Sequence, residues 1–205
     1  MSSGSLRGRV AALTRVGEAG VASVGWLSAG RGWPLNAAVV AVWLTAVSTA
    51  AVVDIEHPLV HRPALFLHLV SVVVSFGAVI FLDVYGLLWL FGHRDLRDIL
   101  QLVSTGHVLI SLGLIGLIGT GLVLHPNLDS WLVRMKMVLV LVVMLNGVNA
   151  HRLSRRLWRL PGNPRGANIP WDCARPLFLA AAISQAGWWG AVIIGFVSST
   201  AGRTV

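Results

Sequence analysis

The sequence predicts an all-α fold: an integral membrane helical bundle with five transmembrane helices, spans two to four forming its core unit. Three observations lead there. Hydrophobic residues make up 56% of the 205 positions and charged residues only 12%, where a soluble domain carries about 25% charged residues. Five apolar stretches each reach the roughly 20 residues that a spanning helix needs. Between them the chain turns basic or rich in proline and glycine, as connections at a membrane surface do. That composition excludes a disordered chain and argues against a water-soluble globule.

Residues 1–32 read as a cytoplasmic tail or an interfacial helix, since Leu6, Val10 and Leu13 share one face while Arg15 and Glu18 interrupt any signal-peptide core. Span one covers 33–53 and is closed by Asp54-Ile55-Glu56-His57-Pro58. Its small-residue end, Ala46-Val47-Ser48, leaves a cleaved signal anchor as the alternative. Span two covers 64–91. Span three covers 101–124 and stops at His125-Pro126-Asn127, where proline cannot continue a helix. Span four covers 131–150, and a long loop with Pro161-Gly162-Asn163-Pro164 leads to span five at 174–198. Residues 199–205 form a C-terminal tail. Trp33, Trp89, Trp131 and Trp171 stand near span ends, where interfacial anchors belong.

Sixteen basic residues against eight acidic ones give a net charge of +8. In a soluble protein that excess would point to nucleic acid. Here it lies between apolar runs and bears on orientation, so no nucleic-acid partner is expected. Arg7, Arg9, Arg15, Arg31, Arg94, Arg97, Arg152, Arg155, Arg156, Arg159, Arg165 and Arg175 fall on one side of a five-span chain. The positive-inside rule then makes the N-terminus cytoplasmic and the C-terminus external. The lone Cys173 forms no internal disulfide and belongs to no CxxC pair.

Ionisable groups inside a bilayer cost several kcal/mol and face a bundle interior or a cavity. His68 and Lys136 each lie roughly 6–8 Å in from the external side, at about 1.5 Å per residue. His125 is slightly shallower. Towards the cytoplasmic side, Asp83 and His107 match in depth, and Asn146, Asn149 and His151 close span four. The expectation is a buried polar group of Asp83, His107 and Asn146, serving structure or proton movement. His68, Ser71, Ser75 and Asp83 fall near one stripe of span two; Ser104, His107 and Ser111 do so on span three. Gly106, Gly113, Gly116 and Gly119 allow close helix approach on span three. A neutral imidazole on a polar seam is an axial ligand for haem iron, which makes His68 the leading ligand candidate. A second imidazole comes loosely from His125, with His107 and His151 as the cytoplasmic alternative. Asp54, Glu56, His57 and His61 outline a separate external copper or zinc site.

Leu67-His68-Leu69 opens a span that also holds Gly77 and Asp83; Gly119-Thr120-Gly121 ends the next; Trp131, Lys136 and Asn146-Gly147 follow. Over about residues 64–152 this pattern resembles the bacterial four-helix membrane domain shared by CopD-like copper-resistance proteins and HemJ-type protoporphyrinogen oxidases. It looks most like a branch with an aspartate in the first helix and a lysine followed by Asn-Gly in the last. The resemblance implies a haem b-binding or redox-active bundle in the bacterial inner membrane, with His68 as haem ligand and Lys136 as a polar partner near the cofactor. It assigns no catalytic role to Asp83 or His107. Ser75-Phe76-Gly77 stands where HemJ-type chains usually have a tryptophan–glycine pair, and no methionine-rich external segment exists. Porphyrinogen oxidation and copper uptake are therefore not carried over.

Two other classes stay open beside the haem-binding, electron-transfer reading. One is a non-enzymatic accessory or assembly subunit of a larger membrane complex or homo-oligomer, contacting it through Gly187-Trp188-Trp189-Gly190. The other is metal handling at the external Asp54–His61 cluster.

Overall fold

A computed structural model describes residues 33–52, 58–124, 128–158 and 171–201. It consists of helices α1 (Trp33–Val52), α2 (Pro58–Leu90), α3 (Leu96–Val123), α4 (Trp131–Leu157) and α5 (Trp171–Ala201). All five are long and apolar enough to cross a membrane, so the all-α membrane bundle is the fold. The chain divides between residues 35 and 36, and every contact described below lies within 36–205. The expected tail or interfacial helix at 1–32 lies outside the described residues, as do 202–205 of the expected C-terminal tail.

The helices outrun their apolar windows, for local reasons. α2 starts at Pro58 instead of 64, because proline suits the first helical position, where its missing N–H has no partner to lose. α3 starts at Leu96 instead of 101: Leu96, Ile99 and Leu100 are buried while Arg97 and Asp98 are exposed, a helical spacing of apolar positions. α4 continues to Leu157, burying Ser154 and Leu157 and turning Arg155 and Arg156 outward. Between α2 and α3 the chain reverses at Gly92, whose φ of 75° suits glycine. Gly92 N donates to the Trp89 carbonyl (2.8 Å) and His93 N to the Leu88 carbonyl (2.9 Å), the paired bonds of a Schellman cap.

The helices associate as two close antiparallel pairs, α2 with α3 and α4 with α5; contact between the pairs is sparser. In the first pair the glycine face of α3 lies against α2. A Cβ on Gly106 would meet the Leu82 side chain at 2.8 Å, and one on Gly113 would meet the Ser71 carbonyl oxygen at 2.8 Å. Gly116 likewise leaves no room beside Ser71. Gly119 meets nothing, so three of the four expected glycines make the close approach. The serines opposite them bond to their own helix, Ser71 Oγ to the Leu67 carbonyl (2.8 Å) and Ser75 Oγ to the Ser71 carbonyl (2.6 Å). Each hydroxyl is thereby satisfied without a partner on α3.

In the second pair Gly187 lies against Val143 and Gly190 against Leu139. The two glycines of the Gly187–Gly190 segment thus join α5 to α4 within the chain, while Trp189 stays half exposed. Trp188 is buried with Val79 and Val143, with Phe76, Ile110, Leu114 and Leu117 packed around them, so α5 completes the core expected of spans two to four. A second cluster of Trp89, Leu96, Ile99, Leu100, Leu157 and Ala174 closes the arginine-rich end. Trp89 is thus a core residue and not an interfacial anchor; Trp33, Trp131 and Trp171 are exposed as anchors should be. Helix α1 buries none of its residues. Arg152 Nη1 of α4 reaches it by donating to Asn36 Oδ1 (3.3 Å), and donates also to Asn149 Oδ1 of its own helix (3.2 Å).

Candidate functional site

His68 is half-buried on α2, two turns before Ser75, and faces α3. Its Nδ1 lies 2.8 Å from Thr120 Oγ1. Thr120, buried on α3, places the same oxygen 2.6 Å from the Gly116 carbonyl. A hydroxyl has one hydrogen, and a carbonyl can only accept. Thr120 therefore donates to Gly116 and accepts from His68, which puts the imidazole hydrogen on Nδ1 and leaves Nε2 with a bare lone pair. Pinning one ring nitrogen so that the other is free to ligate is how proteins orient metal-binding histidines.

Lys136 on α4 lies close enough to act electrostatically on the His68 ring. No hydrogen bond reaches the Lys136 ammonium among the described residues. His125, the third member of the expected cofactor group, lies outside them.

The expected polar group of Asp83, His107 and Asn146 separates in the structure. Asp83 accepts from Gln185 Nε2 on α5. His107 Nδ1 donates to the Val103 carbonyl of its own helix (2.8 Å), and its ring approaches His151 on α4, with centroids 5.4 Å apart and planes at 59°. Asn146 Nδ2 donates to the Ala180 carbonyl on α5 (2.7 Å). The reason is rotational. At 3.6 residues per turn, Asp83 stands about 80° round α2 from Ser75. That is the side where Phe76, seven residues earlier, meets Trp188 (5.8 Å) and Trp189 (5.0 Å) of α5. The α3 stripe also differs from expectation. Ser104 and Ser111 are exposed, and the buried face runs through Ile99, Gly106, Gly113 and Thr120.

Of the external metal candidates, Asp54, Glu56 and His57 lie outside the described residues, and His61 is exposed on the first turn of α2. Among the described residues no group of three or more His, Cys, Asp or Glu side chains gathers to hold a metal.

Two partners were not singled out from the sequence. Gln185 is the one side-chain amide in span five, and that isolation was the available signal. Thr120 stood only as the centre of Gly119-Thr120-Gly121, with nothing local to mark its hydroxyl as a partner of a residue 52 positions away. Two indole N–H groups, of Trp89 and Trp188, are buried and donate to nothing among the described residues.

No family model matches the chain, and comparisons with curated proteins and with solved structures find nothing significantly similar.

Proposed function

We propose that the chain is a haem b-binding, redox-active membrane bundle in which His68 Nε2 is the iron ligand. The observation that supports this most is the chain of bonds from His68 Nδ1–H through Thr120 to the Gly116 carbonyl. It prepares one free imidazole nitrogen on a bundle's inner seam. The group fits the residues present. A neutral imidazole held in one tautomer suits the metal, and the Lys136 ammonium suits a propionate carboxylate at the same depth. When bound, haem would supply one-electron transfer. The residues of this chain hold the ring nitrogen, fix its proton and place one positive charge nearby.

In this reading the chain sits in the bacterial cytoplasmic membrane with its arginine-rich end inside, as the distribution of basic residues directs. A second reading, an accessory subunit of a larger membrane assembly, draws on α1, which buries none of its residues and keeps Thr45 and Thr49 on an exposed face.

The test is the visible spectrum of the detergent-purified protein, oxidised and then dithionite-reduced, after expression with ample haem. A Soret band with α and β bands that sharpen on reduction, lost in His68→Ala, is the expected result. A featureless spectrum rejects the haem reading and favours the accessory subunit, which predicts co-purification with a partner and no cofactor.

A further inference from the structure

At the arginine-rich end, away from His68, a second imidazole is pinned in the same sense. His107 Nδ1 lies 2.8 Å from the Val103 carbonyl oxygen. A carbonyl only accepts, so Nδ1 carries the hydrogen and Nε2 the lone pair. Facing it from α4 is the exposed ring of His151, with centroids 5.4 Å apart and planes tilted by 59°. Two imidazoles on one tetrahedral ion, with metal–nitrogen bonds of about 2.0–2.1 Å, hold their centroids roughly 5 Å apart. A stacked pair would be near-parallel, and a linear pair across a metal would stand further apart.

We propose that His107 and His151 form a two-imidazole site for borderline divalent metal ions of the zinc class, which take tetrahedral coordination, bridging α3 and α4. Imidazole nitrogen suits these ions. His151 is not covered by the protein and lies in the stretch of α4 that carries Arg152, Arg155 and Arg156. No third His, Cys, Asp or Glu joins the pair among the described residues, so water or an incoming ligand completes the coordination, as at sites that keep open positions. The positive charge beside the site opposes a cation: Arg155 on α4 acts electrostatically on His151. The site is therefore a weak one, loaded by exchangeable metal and sensitive to that charge.

The inference is independent of the haem reading, because it uses neither His68 nor Lys136. The test is titration of the full-length, detergent-solubilised protein with Zn2+ against a colorimetric chelator. One ion per chain is expected. His107→Asn and His151→Asn should each weaken binding by about tenfold or more. Asparagine at 107 keeps a side-chain N–H in reach of the Val103 carbonyl while removing the ligating nitrogen, so the fold is spared. Arg155→Gln, at an exposed position, should tighten binding several-fold, a gain that misfolding cannot mimic. Unchanged affinity in the two histidine variants, or in Arg155→Gln, overturns the site. Loss of the ion on His61→Ala overturns it too and assigns the metal to the external cluster.

Discussion

His68 and His107 occupy opposite ends of the bundle and are held by the same ring nitrogen, but by different kinds of partner. His107 Nδ1 bonds to a carbonyl four residues earlier in its own helix. His68 Nδ1 bonds to a hydroxyl on the neighbouring helix, 52 residues away. The first bond exists wherever α3 is helical. The second needs α2 and α3 at one distance and one rotation, which the glycine face of α3 sets. One imidazole is therefore prepared by local structure and the other by tertiary packing, and disturbance of the packing should separate them.

The largest effect should come from Gly113→Ala. The new methyl would crowd Ser75 and come 2.8 Å from the Ser71 carbonyl oxygen, which is backbone and cannot swing aside. Overpacking of this kind costs about 1–3 kcal/mol, read as a lower midpoint in detergent unfolding. Gly119→Ala on the same helix meets nothing within 4 Å and should be close to neutral. Equal losses in the two variants would show that helix propensity, and not close approach, sets the pair.

Gln185→Leu follows. It leaves the half-buried Asp83 carboxyl without the donor it has in the structure, at a cost of about 1 kcal/mol, the low end for a group left unsatisfied. Adding Asp83→Leu should recover much of the loss in a double-mutant cycle. Additive penalties would mean the two side chains are not coupled.

Thr120→Val removes the hydroxyl that holds His68. Interhelical bonds between side chains in membranes average about 0.6 kcal/mol, so the stability change should be small. The informative readout is nitrogen NMR of histidine-labelled protein in bilayers. His68 should be in the Nδ1–H tautomer in the parent and in Thr120→Ser, and lose that preference in Thr120→Val. An unchanged His68 signal would place the pin elsewhere. The smallest effect concerns His107, whose tautomer should stay the same in both Gly113→Ala and Thr120→Val. A shift there would mean that its bond to Val103 also depends on the packing of its neighbours.

Much of the fold was legible because transfer into a bilayer is a sum over local residues. Five apolar runs are five helices, and span one ends within a residue of α1. The windows stopped short at α3 and α4 because hydropathy counts Arg97, Asp98, Arg155 and Arg156 as breaks. A helix continues past the hydrocarbon edge with such residues turned outward and Leu96, Ile99 or Leu157 turned in. The site was legible in part. Depth along a helix follows from residue number, so His68 and Lys136 could be matched in depth, and the Lys136 charge acts on the His68 ring. Azimuth does not follow, because it depends on which face each helix turns to each neighbour. Asp83 and His107 share a depth and yet take different partners for that reason.

By itself, then, the sequence determined the membrane-spanning character, the number of helices among the described residues and the depth of each polar group, since these depend on composition and on rise per residue. Only the tertiary structure decided the partners: Thr120 for His68, Gln185 for Asp83 at 102 residues' separation, His151 for His107. Those pairings depend on the rotation and spacing of whole helices, set where glycine meets serine between α2 and α3 and where Gly187 and Gly190 meet Val143 and Leu139 between α5 and α4. Close packing is satisfied at few rotations, and a choice made at the glycines is carried by a rigid helix to every polar group along it.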